Sequence, residues 1–222
     1  MIEKITNKFM GNPVWRRLWQ IFRIPLVIIL ILFVGLVIYR IPVVMERQKT
    51  EEVVKKIQAQ KLTLADVLGE RLPPEPDPAL RDSTVEGVDA NQNGIRDDVE
   101  LAIFNEYPNS AKTRAVLLQY ALALQMEVVQ PIINTETVTE VVREQSRAGS
   151  CVGDSLVPRK NLESARSYAD VEKIFTFLNF VKDKQLNTDV RKKAQEDFVE
   201  RIGSYSESEN EICDIDLLAL PN

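Results

Sequence analysis

Residues 24–39, IPLVIILILFVGLVIY, run for sixteen positions without a charge. Extended through RIPVVM to residue 45 the run is about 22 residues long, and at ~1.5 Å per residue a helix of that length crosses the ~30 Å hydrocarbon layer of a bilayer. The run therefore predicts a single transmembrane helix over residues 24–45. Pro25 is expected in its first turn, where a missing N–H costs little. Arg40 is placed to reach headgroups, and Trp15, Trp19 and Tyr39 are candidate interfacial anchors. The alternative is a cleaved signal peptide, but VIYRIPVVME offers no pair of small residues for cleavage.

Charge is divided unevenly about this run. Of 28 Lys/Arg and 33 Asp/Glu, residues 1–45 hold six and one, which leaves 22 and 32, a net charge of −10, for residues 46–222. Lys4, Lys8, Arg16, Arg17 and Arg23 precede the run against Glu3 alone, whereas Arg40, Arg47 and Lys49 after it are mixed with Glu46, Glu51 and Glu52. The positive-inside rule then predicts a cytoplasmic tail over residues 1–23 and an outer location for residues 46–222. So acidic a domain is poorly suited to nucleic acid, because phosphate contacts need clustered positive charge. The chain has no histidine, which removes the commonest general base, the commonest zinc ligand and any His-containing triad.

Cys151 and Cys213 both fall on the outer side, where disulfides persist, and are expected to pair. Two unrelated buried thiols are the alternative. No Asn-x-Ser/Thr sequon occurs, so a bacterial inner membrane with a periplasmic domain is the simplest expectation.

Beyond the anchor the pattern is helical throughout, and the expected fold class is all-α. Residues 46–61, ERQKTEEVVKKIQAQK, place Val53, Val54 and Ile57 on one side and read as a helical stalk. TLADVLGERL (63–72) has Thr63 as its N-cap, and PPEPDP (73–78) reads as a stiff extended linker. A helical bundle is expected over residues 79–222. Its central helix is 110–131, capped by Ser110, ended by Pro131 and apolar nearly all round; a second membrane span is the alternative, but the stretch is short and carries Gln119, Gln125 and Glu127. Residues 135–149 keep charges at helical spacing despite many β-branched residues. Residues 167–186, capped by Ser167, should bury Val171, Ile174, Phe175, Leu178 and Val181. Residues 188–203, capped by Thr188, should turn Val190, Ala194, Phe198 and Ile202 inward and end on Gly203.

The stretch GVDANQNGIRDDVE (87–100) crowds carboxylates and asparagines around one glycine. From Asp89 onward it reads D-x-N-x-N-G-x-x-D-D-x-E and resembles the EF-hand calcium loop. The resemblance implies Ca²⁺ held by Asp89, Asn91 and Asn93, by the Ile95 carbonyl, by Asp97 directly or through water, and by Glu100 with both oxygens. Gly94 would take the sharp turn. Arg96 stands where paired EF-hands carry an apolar residue, and no second loop follows, so the likeness is to a lone calcium loop of the kind found in bacterial extracytoplasmic proteins. The alternative is an Asn-Gly turn in which Asp97 or Asp98 caps helix 98–106.

The expected function is a membrane-anchored interaction or scaffold module, calcium-braced, disulfide-clipped and working through a protein partner in the membrane or periplasm. A sensor subunit acting through a membrane partner is the second reading. A hydrolase built on Glu136/Glu140 or Glu163/Asp170 is a third, and no catalytic motif supports it; the chain is expected not to be an enzyme.

Overall fold

The computed structural model describes residues 13–159, 161, 165–206 and 211–220. Among the described residues there are helices and no strand, as the periodicity predicts. In chain order the α-helices are α1 (Pro13–Ala59), α2 (Leu64–Leu68), α3 (Pro78–Arg81), α4 (Asp97–Glu106), α5 (Ala111–Val129), α6 (Thr135–Leu156), α7 (Tyr168–Gln185) and α8 (Asp189–Val199), followed by a 3₁₀ turn, Leu217–Ala219.

The chain divides into two compact units, residues 1–49 and 50–222. In the first, α1 is long and apolar enough to cross a membrane, and none of its apolar window is buried by the rest of the chain. Ile24, Leu32 and Ile38 are more than half exposed, which is the state expected of side chains whose solvent is something other than water. Pro25 is not in the first turn. The helix begins at Pro13 and carries both Pro25 and Pro42 inside it, each removing one intrahelical hydrogen bond.

The second unit starts at Thr50, which corrects the division into a stalk and linker (46–78) and a bundle from 79. Ile57, Leu62 and Val67 are buried in the same core as the later helices. Asn134 Nδ2 donates to the Thr50 hydroxyl at 2.8 Å, and Gln58 Nε2 to Glu140 at 2.8 Å, so the end of α1 lies along α6. Pro73 and Pro76 are buried too. Composition suggested a linker because proline forbids helix; it says nothing against an extended segment pressed onto a core. Pro78 opens α3 at its first position under an Asp77 cap, where its lost N–H costs nothing.

Helix α5 is the hub, packing against α2, α4, α6, α7 and α8. Ser110 caps it, and every residue from Arg114 to Glu127 is buried, as a helix apolar nearly all round requires. Asn134 caps α6 by accepting from the Glu136 and Thr137 N–H groups. That helix continues to Leu156, seven residues beyond the expected end, and so carries Cys151 inside it.

Two faces differ from expectation. Of the five apolar residues assigned inward on α7, only Val181 is fully buried, and Phe175 is 54% exposed. Phe177 and Phe180 pack on Tyr107 instead. On α8 the inward residue beside Phe198 is Arg191, while Val190 is exposed. The helix ends at Val199 with Glu200 as C-cap, not at Gly203. An arginine displaces a valine here because carbonyl groups wait for its five N–H donors: Arg81 at 2.6 Å, Val85 at 3.0 Å and Thr84 at 3.1 Å, with Asp82 at 2.9 Å.

Candidate functional site: the loop 89–100

The loop is pinned to the core from both sides. Ile95 and, on α4, Val99 and Ile103 are fully buried, each worth about 1.5–3 kcal/mol of burial. Gly94 has φ 86°, and a Cβ there would collide with the Gln60 side chain and come within 2.8 Å of Leu122 Cδ1. Glycine is needed for conformation and for space at once.

Asp89 folds the loop around itself. Its carboxylate accepts from the Asn93 N–H at 3.2 Å and the Gly94 N–H at 2.9 Å. Asn93 Oδ1 accepts from the Ile95 N–H at 2.9 Å, and Asn91 Oδ1 from the Asn93 N–H at 3.3 Å. These local side-chain-to-backbone bonds hold the turn in its shape.

Asp97 and Glu100 lie beneath them, 0% and 1% exposed. Helix α4 begins at Asp97, its N-cap Arg96 makes no side-chain cap bond, and Asp97 instead accepts from the Ala90 N–H at 3.0 Å across the loop. The acid therefore closes the loop and does not cap the helix, unlike the plain-turn alternative. Burial raises the Asp97 carboxyl, with the Ala90 bond opposing it. Burial likewise pushes Glu100 up to about 7, against the hydrogen bond from Asn91. Asn91 Nδ2 donates to Glu100 at 3.0 Å and to the Arg71 carbonyl at 2.9 Å. Among the described residues no Lys or Arg stands within ion-pair distance of Asp89, Asp97 or Glu100: Arg71 is paired with Asp66 and Arg96 with Asp98.

As a donor set for a hard cation the residues are of the right chemistry: three carboxylates, two amide oxygens and the Ile95 carbonyl. Among the described residues no three His, Cys, Asp or Glu side chains converge on a common point, so the carboxylates alone do not make a metal group. The amides of Asn91 and Asn93 would have to complete it, and Asn91 would have to turn its oxygen where its nitrogen now meets Glu100.

Arg96 was the departure from the EF-hand pattern, and its role was not visible in the sequence. It is fully buried, donates to the Gln185 carbonyl at 2.8 Å, and pairs with Asp98 at 2.5 Å. It thus ties the loop to the turn between α7 and α8, where a paired EF-hand would have used a second loop. Burial lowers its pKa, with Asp98 opposing the shift. The only forewarning was a charged residue at a position where the loop needs an inward side chain.

Cys151 and Cys213 form a disulfide with Cα atoms 5.2 Å apart. Of the acids of the hydrolase alternative, Glu136 is exposed, Glu140 is held by Gln58 and Arg143, Asp170 accepts from the Ser167 N–H in the capping box that opens α7, and Glu163 lies outside the described residues. Trp15 as an anchor likewise has no described side chain. Compared with known proteins, the chain matches no protein-family model, no curated protein and no solved structure.

Proposed function

We propose that the chain is a single-pass module of the bacterial envelope, anchored in the inner membrane with its N-terminus cytoplasmic and its acidic helical domain periplasmic. There it serves as an interaction or scaffold protein whose fold is braced by Ca²⁺ in the loop 89–100. The observation that carries the brace is the pair of fully buried carboxylates, Asp97 and Glu100, without a cationic side chain to meet them. Burying an ionised carboxylate is costly unless it is paired or coordinated. Asp89, Asn91, Asn93, the Ile95 carbonyl, Asp97 and Glu100 would hold the ion, and its charge would permit Asp97 and Glu100 to stay ionised. The anchor rests on the unburied apolar helix and the orientation on the basic residues before it.

Equilibrium dialysis of the detergent-solubilised full chain tests the brace. We expect one calcium per chain with a dissociation constant on the order of 10⁻⁴–10⁻³ M, as in extracellular modules, lost in Asp89→Ala. Uptake unchanged by that substitution, or no uptake at all, would remove the loop from the account. Orientation is tested separately: a C-terminal alkaline phosphatase fusion should be active and a C-terminal green fluorescent fusion dark, and the reverse pattern would invert the topology.

A further inference from the structure

Glu127 is a buried acid that belongs neither to the loop 89–100 nor to the cluster of Glu144 and Asp214. It lies near the end of α5 and is 4% exposed. Its Oε2 accepts from Gln195 Nε2 on α8 at 2.8 Å. Its Oε1 is buried and meets no hydrogen-bond donor among the described residues. Helix α8 rests on α5 and is held as well by Arg191 near its start and Phe198 near its end, both buried. Gln195, half-buried, lies between those two holds.

A carboxylate with one oxygen unmet is costly to bury, whereas the protonated acid is neutral and its Oε2 still accepts from Gln195. Once ionised, the group has two ways out. It can turn toward Lys182 on α7, which is exposed and favours the charged form, or α8 can lift and admit water. Each gives up the Gln195 bond. Other groups nearby do not stand in for Lys182. Tyr120, two turns earlier on α5, is pushed up to about 12, first by burial, and stays neutral. Arg191 and Lys192 on α8 pair with Asp82 and Asp189, and Arg143 on α6 pairs with Glu140. We infer that Glu127 and Gln195 form a proton-operated clasp, which holds α8 on α5 in acid and lets it open as the carboxyl ionises. The inference stands on the contact between α5 and α8 and needs neither calcium nor a membrane.

Burial holds the Glu127 carboxyl up at about 7, against the Gln195 bond and Lys182. Once α8 opens and water reaches the group, it returns to its ordinary 4.5, so opening releases one proton to solvent. The clasp is therefore complete below about 4.5 and weakens as pH rises toward 7. Beyond that the carboxyl is ionised in both states and the change stops. Opening frees Phe198, otherwise 1% exposed, so neutral pH uncovers an apolar side chain that acid conceals.

Hydrogen exchange of the full chain in detergent and chelator, followed from pH 5 to pH 8 and corrected for the intrinsic rise of exchange with pH, tests the clasp. Helix α8 should exchange ahead of α5 and α6 at every pH. Its opening constant should rise by about tenfold per pH unit and level off near 7. In Glu127→Gln, where a neutral amide keeps the bond to Gln195, α8 should stay as protected as wild type in acid and show no slope. A slope unchanged by Glu127→Gln, a wild type without a slope, or α8 exchanging only together with α5 and α6 would each overturn the clasp. Should that variant fail to fold, Lys182→Met, at an exposed position, decides. It removes the cation that favours the ionised closed form, so α8 should open further above pH 7 and be unchanged at pH 5. No change at either pH, or an equal change at both, would overturn the proposal as well.

Discussion

Around α6 the buried acids Glu144 and Asp214 are met by cations: Arg147 lies 2.5 Å from the first and 2.6 Å from the second, and Lys61 is 2.7 Å from Glu144. In the loop 89–100, Asp97 and Glu100 are buried as deeply, yet they receive only the neutral donors of Ala90 and Asn91. Neutral N–H groups offset part of a carboxylate's desolvation but leave its charge uncompensated. One cluster is therefore complete within the chain, and the other is complete only with protons or a cation. The contrast separates a structural use of buried charge from a candidate ligand site, which burial alone does not do.

The largest effect should come from breaking the complete cluster. Arg147→Ala leaves Glu144 and Asp214 buried with only Lys61 nearby, and removing one partner of a buried pair costs about 3–5 kcal/mol. Urea denaturation would measure it; a loss below about 1 kcal/mol, the scale of exposed pairs, would show that the cluster relaxes into water and that the contrast is false.

The disulfide comes next, because it fastens Cys213 beside Asp214. Replacing both cysteines with serine should cost about 2–4 kcal/mol by releasing a loop of 62 residues' separation. Two free thiols by mass spectrometry of the protein isolated from cells without reductant would contradict the pairing.

In the incomplete cluster the sign reverses. The Glu100 carboxyl in the folded chain sits near 7, above its ordinary 4.5, so the folded state holds its proton longer than the unfolded state. Stability contributed by this group is full below about 4.5 and falls as pH rises toward 7 and beyond. Glu127, buried on α5 and also pushed up to about 7, acts in the same direction. In chelator, Glu100→Gln should flatten this slope and raise stability at pH 8 by on the order of 1–2 kcal/mol, a part of the roughly 1.4 kcal/mol per pKa unit available. A variant less stable than wild type in chelator would mean that the ionised carboxylate is already compensated.

Legibility in the sequence followed the range of the interactions. Caps such as Thr63, Ser110, Ser167 and Thr188 act within four residues and were readable, as were the central helix and the cysteine pair. Gly94 was readable because the loop's spacing demands a sharp turn there. What escaped notice depends on distant backbone. Arg96 and Arg191 are buried because carbonyls from other segments receive them, and local periodicity reads every charge as exposed. The same reasoning sets Val190 inward where Arg191 belongs, and it reads residues 46–78 as stalk and linker because prolines and charges hide the few apolar residues, Ile57, Leu62 and Val67, that hold the segment down from Thr50 onward. Gln119 and Asp214 become a pair only when the tail is in place.

The smallest effect is also the most direct test. At calcium about ten times its dissociation constant, linkage contributes about 1.4 kcal/mol, a rise in melting temperature of roughly 3–5 °C for a domain this size. Thermal melts of the full chain and of Glu100→Gln at pH 8, in chelator and in millimolar calcium, place the two outcomes side by side. The account predicts that wild type gains those degrees with calcium, while the variant melts higher than wild type in chelator and gains nothing. Wild type indifferent to calcium, or both proteins shifting alike, would contradict the claim that this loop is completed by a cation.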